Sequence, residues 1–217
     1  MSEATPDPLI ERRRHYDRDT LDEVRAPNDP FELFRSWIAD VFREDVLEAN
    51  AMTLATVDAD GHPAARLVLL RGWDERGFVF FTNYHSNKGR EIAAHPAAAL
   101  VFFWPQLERQ VRINGAIEQL PADESDAYFA RRPRGHRISA WASPQSQVIP
   151  SRGILEERIA EAEQRFAGTD VPRPPHWGGY RVAPERIEFW QGRPDRAHDR
   201  LLFTFTGSTW KRERLAP

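Results

Sequence analysis

The sequence has no cysteine among its 217 residues and only two lysines among its thirty basic residues. The absence of cysteine excludes disulfides and thiolate chemistry. No apolar run approaches the length of a membrane-spanning helix, and the N-terminal segment lacks the apolar core of a signal sequence. We therefore expect an unprocessed cytoplasmic protein with no membrane partner. The seven histidines show no metal-site spacing such as HExxH, so no metal is predicted.

Charge and composition bound the domain organisation and the class of partner. Thirty basic and thirty-three acidic residues give a formal net charge of −3, and this mixture does not favour a uniform nucleic-acid-binding surface. With 41% apolar residues the chain can bury a sizeable core. Residues 1–27 are polar and contain three prolines, so we predict a loose N-terminal arm over 1–27 and a single domain over 28–217.

Residues 66–90, RLVLLRGWDERGFVFFTNYHSNKGR, predict an apolar hairpin followed by a polar turn. The runs 67–70 and 78–81 are typical of strands, and WDERG between them supplies a turn whose glycine tolerates a positive φ. The sequence then changes to hydroxyl, amide and ammonium groups and enters a helix. Lys88 and the free N–H groups of that helix could hold a phosphate; the alternative is an ordinary helix capped by Ser86.

A helix and five or six antiparallel strands are predicted around this stretch. Asp29 and Pro30 are suited to the N-cap and the first position of a helix. One buried stripe of that helix is predicted to consist of Phe34, Trp37, Ile38, Val41 and Phe42. Strands are predicted over 51–57, from 65, over 98–104 and over 109–120, with an irregularity at Gly115.

The rest of the chain predicts helices first and strands again at the end. The helices are expected at 123–131, within 139–146 and over 153–167, and the strands at 180–182, 186–190, 201–205 and 209–212. Successive hairpins with few helices between them favour an antiparallel sheet. The predicted fold class is α+β, mainly β: a closed or nearly closed antiparallel β-barrel with peripheral helices.

Two groups of residues in the second half point to chemistry. Tyr128 and Arg132 are four positions apart and share one helix face, although the arginines around them are also compatible with a solvated surface. Arg196, His198 and Arg200 alternate along a stretch that, if extended, places all three on one face. Such a row favours an anionic or electron-rich ligand, with His198 as a donor or acid near neutral pH.

A series of motifs occurs in order along the chain. They are RLVLLR at 66–71, FFTN at 80–83, SNKG at 86–89, LERQVRINGAIEQLP at 107–121, YFARRPR at 128–134, ASPQS at 142–146, PRPPHWGGYRV at 172–182, IEFWQGRPDRAHDR at 187–200 and the terminal RLAP. Each motif alone is weak evidence, but with this set the chain resembles the pyridoxamine 5′-phosphate oxidase family from about residue 13 to its end.

The resemblance implies an FMN-binding split β-barrel that forms a homodimer, with two FMN molecules at the subunit interface. The FMN ligands that it implies are Arg66, Leu67, Val68, Leu69, Leu70, Arg71, Phe81, Thr82, Asn87, Lys88, Gln110, Gln145, Ser146, Trp190 and Arg200. The substrate phosphate would meet Arg71, Tyr128, Arg132 and His136. Arg196 and His198 would lie over the pyridine ring as the catalytic residues, and Arg13 and Tyr16 of the arm would close over the bound substrate.

The activity that the resemblance implies is oxidation of pyridoxamine 5′-phosphate and pyridoxine 5′-phosphate to pyridoxal 5′-phosphate, in vitamin B6 biosynthesis and salvage. A hydride would pass from C4′ of the substrate to N5 of FMN, and O2 would take up the electrons to give H2O2. With the amine substrate, the imine would hydrolyse and release ammonia. In such an enzyme the flavin carries the redox chemistry and the protein contributes orientation and charge.

Three positions depart from the family's usual residues. Position 71 is commonly Lys and is Arg here, which keeps the charge and adds a planar fork. Position 87 is commonly Arg and is Asn here, which removes a charge from the FMN phosphate site. Position 136 is commonly Ser and is His here. These changes leave FMN use expected, and they leave two alternatives open: a related flavin oxidase or reductase acting on another ring substrate, and a non-catalytic protein that binds FMN or pyridoxal phosphate.

Overall fold

The computed structural model describes residues 15–217, which form five α-helices and nine strands. The helices are α1 (Pro30–Arg43), α2 (Asn87–Ala94), α3 (Ala122–Ala130), α4 (Arg134–Ala142) and α5 (Arg152–Arg165). The strands are β1 (Ala51–Val57), β2 (Pro63–Leu69), β3 (Gly72–Asp74), β4 (Gly77–Asn83), β5 (Ala97–Trp104), β6 (Arg109–Gln119), β7 (Trp177–Gln191), β8 (Asp199–Phe205) and β9 (Trp210–Arg214). No helix in this range is long and apolar enough to cross a bilayer.

The strands form a single sheet in the order β2-β1-β5-β6-β7-β4-β3, with β8 pairing to β7 and to β9. The pairs β1–β2, β1–β5, β3–β4, β4–β7 and β8–β9 are antiparallel. In these registers Ala51 lies opposite Leu69, and Phe81 lies opposite Gly179. The sheet confirms the predicted class, mainly antiparallel β with peripheral helices.

The chain divides into two compact units. The described part of the first unit comprises residues 15–49, 103–111 and 188–217, and the second comprises residues 50–102 and 112–187. The core of the first contains Trp37, whose ring meets Phe189 edge to face with centroids 5.1 Å apart. The core of the second contains Phe80 and Phe102, both fully buried.

The described part of the predicted arm is bound within the first unit. Arg18 forms an ion pair with Glu44 at 2.7 Å, and Asp19 forms one with Arg109 at 2.7 Å. Each of these pairs joins the arm to a segment distant in sequence. The boundary between arm and domain at residue 27 stays a prediction.

Helix α1 begins as its sequence predicts. The Asp29 side chain accepts a hydrogen bond from the Phe31 N–H at 2.8 Å, and Pro30 occupies the first turn, where its missing N–H costs nothing. Four of the five predicted stripe residues are buried, whereas Phe42 is 63% exposed. The stripe prediction was wrong for Phe42, which lies at the edge of the apolar face near the end of the helix.

The predicted pairing of 67–70 with 78–81 is wrong. The first run belongs to β2, which pairs with β1, and the hairpin around WDERG joins the short strand β3 to β4. Gly77 has a φ of +137°, as predicted for that turn. The chain thus passes through Leu70 and Arg71 and starts a new strand at Gly72, because β2 is already paired along its length with β1.

The last third of the chain also differs from its prediction. The two strands expected at 180–182 and 186–190 are one 15-residue strand, β7. Pro184 lies inside it, and a proline inside a strand pattern ordinarily signals an interruption. The helix expected within 139–146 begins earlier, at Arg134, directly after Pro133.

Gly115 allows β6 to approach β7 closely. A Cβ added at Gly115 would lie 1.9 Å from the carbonyl oxygen of Ala183, well inside van der Waals contact. The irregularity predicted at this position is therefore a close backbone approach.

Gly115→Ala is expected to destabilise the protein by about 3 kcal/mol, because the backbone of one strand must move. Gly135→Ala is the matched control: Gly135 lies in α4, and a Cβ added there would meet no atom within 4 Å, so the same change should be neutral or stabilise by up to about 1 kcal/mol. Urea denaturation followed by tryptophan fluorescence measures both. Equal stabilities of the two variants would contradict the close approach.

Candidate active site

A cavity of about 500 Å³ lies in the second unit. It brings together most of the residues of this unit that were predicted to bind FMN or the substrate phosphate. These residues come from β2, β4, α2, α3, α4 and the segments that follow those elements. The predicted residues that line it are Leu67, Val68, Leu69, Arg71, Phe81, Thr82, Lys88, Tyr128, Arg132, His136 and Gln145. The residues that form the cavity wall, including its cationic side chains, therefore come from segments far apart in sequence.

Arg132 presents a guanidinium that the described protein atoms do not fully satisfy. Its Nη1 is buried and has no hydrogen-bond partner within residues 15–217. Burial lowers the pKa of Arg132, Tyr128 opposes that change in part, and the Arg71 charge lowers the pKa further by a smaller amount. A buried cation without an acceptor is costly unless a ligand completes it. Arg132 and Arg71 together therefore fit a bound anion.

Lys88 is the second desolvated cation of the cavity. Its Nζ lies 3.3 Å from Thr82 Oγ1 and 3.4 Å from Ser86 Oγ. Burial lowers the pKa of Lys88, the Arg66 charge lowers it further, and Glu91 opposes the change. Ser86 does cap α2, since its Oγ accepts from the Gly89 N–H at 3.3 Å. The two interpretations of this turn are thus compatible: Ser86 caps the helix, and Lys88 is in the cavity, where it could hold a phosphate.

Arg66 does not line the cavity, but it lies close enough to Lys88 for its charge to act on that side chain. Its Nη2 is 2.5 Å from Glu91 Oε2, and its Nη1 donates to Thr56 Oγ1. Thr56 Oγ1 in turn donates to the same Glu91 oxygen at 2.5 Å. Glu91 therefore fixes the arginine in one orientation beside Lys88.

Three parallel rings form another part of the cavity wall. Phe81 stacks on Tyr128 with centroids 3.8 Å apart and on Trp177 with centroids 5.5 Å apart. The interplanar angles are 7° and 11°. Tyr128 and Arg132 both line the cavity. The prediction that they share one helix face was wrong, because α3 ends at Ala130 and Arg132 lies in the turn that follows it.

Gln145 follows α4 and turns back onto β4. Its Oε1 accepts from Thr82 Oγ1 at 3.2 Å and from the Asn83 N–H at 3.4 Å. The next residue, Ser146, has a φ of +70°, a conformation that costs a non-glycine residue free energy. That conformation lets the chain leave α4 while the Gln145 side chain points at the strand.

His198 belongs to a small aromatic group in the first unit. Its ring is 4.7 Å from that of Trp190 and 5.8 Å from that of Tyr16, measured between centroids. His198 Nδ1 accepts from the Arg193 N–H at 3.1 Å, so in the neutral ring the proton lies on Nε2. Burial lowers the pKa of His198, and the Arg196 charge lowers it further. The imidazole is held neutral, with Nε2–H as a donor.

The premise that Arg196, His198 and Arg200 lie on one extended strand is wrong. Arg196 ends a 3-10 turn, Pro194–Arg196, and β8 begins only at Asp199. Asp195 and Arg196 have φ values of +55° and +62°, two successive left-handed residues. Arg200 binds Glu188 through Nε at 2.8 Å. A tight turn, rather than strand alternation, precedes His198 and sets the direction of Arg196, whereas Arg200 lies on β8.

The remaining predicted residues do not line this cavity. Leu70 is buried, and Asn87 Oδ1 accepts from Arg90 Nη2 at 2.6 Å. Gln110 lies on β6 in the first unit. Arg13 lies outside the described residues. Their roles toward a ligand stay predictions.

Two residues that the sequence analysis did not single out contribute to the site. Trp177 lines the cavity at the start of β7, and Glu91 orients Arg66. Trp177 stands in the motif PRPPHWGGYRV, so an aromatic residue directly before two glycines was the available signal. For Glu91 the only signal was an acid three positions after Lys88.

The fold and the cavity define a mainly antiparallel β protein with a cationic, aromatic-walled cavity. The chain belongs to the pyridoxamine 5′-phosphate oxidase family. The family model "Pyridoxamine 5′-phosphate oxidase" matches residues 38–166, and "Pyridoxine 5′-phosphate oxidase C-terminal dimerisation region" matches residues 177–217. This confirms the family, and with it the split-barrel fold class, that the motifs indicated.

Relatives of this family match nearly the whole chain. A pyridoxine/pyridoxamine 5′-phosphate oxidase of Pseudomonas paraeruginosa is 61% identical over 96% of this chain and 98% of its own. One of Ectopseudomonas mendocina is 59% identical with the same coverage.

Solved structures agree with this assignment. PhzG from Burkholderia lata, in complex with tetrahydrophenazine-1-carboxylic acid, superposes with a TM-score of 0.86 at 32% identity, covering 92% of this chain and 98% of its own. A pyridoxamine 5′-phosphate oxidase-related, FMN-binding protein from Nostoc punctiforme has a TM-score of 0.71 at 20% identity, covering 88% of this chain and 100% of its own. The second likeness supports the fold alone.

Proposed function

We propose that this chain is a homodimeric, cytoplasmic FMN-dependent oxidase that converts pyridoxamine 5′-phosphate and pyridoxine 5′-phosphate to pyridoxal 5′-phosphate. O2 is the electron acceptor and H2O2 a product, with ammonia released from the amine. The observation that carries the proposal is the pair of desolvated cations, Arg132 and Lys88, in one cavity of a chain 61% identical to such an oxidase. The matched dimerisation region supports the homodimer.

The residues of the cavity fit both the phosphate of FMN and the phosphate of the substrate. Lys88 and Thr82, with Arg66 held by Glu91, form a cationic, hydroxyl-bearing group for the FMN phosphate. Arg132 and Arg71 offer a second cationic group, and the unpaired Nη1 of Arg132 is a donor that a substrate phosphate would complete. Asn87 adds no charge, because its side-chain amide is neutral, and its amide oxygen accepts a hydrogen bond from Arg90.

The redox chemistry, oxidation at C4′ of the substrate with O2 as the electron acceptor, would be supplied by FMN held by Lys88, Thr82 and Arg66. The residues of the chain bind and orient the substrate. Arg132, Arg71 and Tyr128 fix the substrate phosphate and thereby the position of the ring. His198 donates a hydrogen bond from Nε2, because its Nδ1 is engaged by the Arg193 N–H. Arg196 supplies positive charge over the ring, and neither residue is required as a base.

The pKa of His198 predicts how substrate binding changes with pH. Because burial lowers that pKa, the ring stays neutral to a lower pH than an ordinary histidine, whose pKa is about 6.5. We expect KM to be flat from about pH 7 to pH 8 and to rise only as the pH falls below about 6.5, when protonation of Nδ1 breaks the bond from Arg193. The substrate phosphate, with a second pKa of about 6, titrates in the same range.

His198→Asn separates the two titrations. In this variant only the substrate phosphate remains to titrate, so the rise of KM at low pH should be shallower than in the wild type. Identical profiles of KM against pH for wild type and His198→Asn would contradict the assignment of the titration to His198.

The visible spectrum of the purified protein tests the proposed function. Anaerobic addition of pyridoxine 5′-phosphate should bleach the flavin band with formation of pyridoxal 5′-phosphate, and air should restore the band with formation of H2O2. A flavin band that stays unchanged would argue for a non-catalytic carrier or an oxidase of another substrate. A protein that binds no FMN even when it is supplied would remove the cofactor assignment.

The likeness to PhzG supports a second candidate, a flavin oxidase of a carboxylated ring compound. That protein binds tetrahydrophenazine-1-carboxylic acid, and it shares 32% of its residues with this chain. A cationic cavity can accept a carboxylate as well as a phosphate. Two arginines suit the doubly charged phosphate better, so in a panel of both compounds we expect the phosphate ester to be oxidised.

A further inference from the structure

We propose that Trp177 is a positioning residue for phosphate recognition: its indole holds Arg132 and, through Phe81, Tyr128 in the arrangement that selects a phosphorylated substrate. This inference rests on the proposed function. It assigns the selectivity in part to a side chain without a charge. Trp177 is 6% exposed and lines the cavity that contains Arg132.

The contact between Trp177 and Arg132 is a cation–π interaction. The guanidinium carbon of Arg132 lies 4.4 Å from the centroid of the Trp177 ring and 5.5 Å from that of Phe129. Tryptophan is the strongest partner for such a cation, and the attraction grows when the pair is desolvated. Nη1 of this guanidinium is buried and unpaired among residues 15–217, so within that range the ring faces are the contacts that hold it.

Ring stacking also connects Trp177 to Tyr128, the other proposed ligand of the substrate phosphate. Trp177 and Tyr128 are parallel within 11° with centroids 6.2 Å apart, and Phe81 stacks on both rings. Parallel offset rings at these distances attract one another beyond their burial alone. The position of the Tyr128 hydroxyl thus depends on the plane that Trp177 sets.

The backbone of Trp177 is fixed from two sides. It is the first residue of β7, opposite Asn83 of β4. Its carbonyl accepts from Arg173 Nη1 at 2.7 Å, and Arg173 Nε donates to Asp126 of α3 at 2.6 Å. Asp126 precedes Tyr128 on the same helix. Arg173 therefore ties the start of β7 to the helix that bears the tyrosine, which makes the indole a rigid support.

The test uses the FMN-loaded protein and compares Trp177→Leu, Trp177→Phe and the wild type. Trp177→Leu removes the ring face, so KM for pyridoxine 5′-phosphate and the dissociation constant of inorganic phosphate, measured by calorimetry, should each rise about tenfold. The kcat and the affinity for FMN should stay within about twofold. Trp177→Phe keeps a weaker ring and should restore most of the phosphate affinity.

A double-mutant cycle asks whether Trp177 acts through Arg132. In an Arg132→Met background, Trp177→Leu should raise the phosphate dissociation constant no more than about twofold, because the group that it positions is gone. Phe102→Leu is the matched control for loss of a buried ring. It should lower the stability of the protein and leave unchanged both KM for pyridoxine 5′-phosphate and the dissociation constant of inorganic phosphate. Phe102 is fully buried and packs on Phe78.

Two outcomes would overturn the inference. Phosphate affinity unchanged in Trp177→Leu would do so, and so would a full tenfold effect of Trp177→Leu in the Arg132→Met background. If the wild type binds inorganic phosphate but does not oxidise pyridoxine 5′-phosphate, the proposed function fails while the calorimetry still decides the role of Trp177.

Discussion

Lys88→Met is expected to weaken FMN binding about 100-fold, so that the protein is purified colourless. The ammonium group lies 3.3 Å from Thr82 Oγ1 in a cavity whose burial lowers the pKa of the lysine. A desolvated cation binds an anion far more strongly than a solvated one, since less water must be removed when the pair forms. Methionine has a similar length and no charge, so the change removes the attraction and leaves the packing.

Arg90→Met is the matched control for net charge. Arg90 stands two residues later on the same helix, is exposed, and donates to the His85 carbonyl and to Asn87 Oδ1. It removes the same unit of charge outside the cavity, so FMN affinity should change less than about threefold. Titration of the apoprotein with FMN, followed by quenching of flavin fluorescence, gives both constants. Equal losses in the two variants would show that α2 acts only through its net charge.

Local sequence signals predicted the elements whose ends are set by their own residues. Asp29 and Pro30 fix the start of α1 through a side-chain cap and a missing donor, and both effects lie within one turn. Strand β1 was predicted with its observed bounds, since turn residues at 58–61 follow an alternating run.

The features that sequence reasoning missed depend on partners distant in the chain. Residues 67–70 are apolar enough to pair with either neighbour, and only the sheet order gives them to β1. The direction of Arg196 depends on two left-handed residues that carry side chains, and such conformations have no signal in residue type. Trp177 meets Phe81 and Arg132 from segments nearly a hundred and about forty-five residues away, so no local pattern marks it.

Arg196→Ala is expected to lower kcat about 100-fold or more, with FMN content unchanged. Arg196 has a φ of +62° and contributes to the low pKa of His198, so its charge lies close to the imidazole that donates to the substrate. Interactions that strengthen as charge develops on the ring act on kcat rather than on binding of the flavin.

Arg196→Gly separates loss of charge from relief of strain. Glycine adopts the left-handed conformation freely, so this variant should be more stable than Arg196→Ala by about 1 kcal/mol. If the guanidinium is what catalysis requires, both variants lose the same activity despite that difference, and both keep the flavin absorbance of the wild type. If Arg196→Gly kept wild-type turnover, the turn itself, rather than the arginine charge, would be the catalytic requirement. Stopped-flow measurement of flavin bleaching under anaerobic conditions isolates the reductive step, where the effect should appear in full.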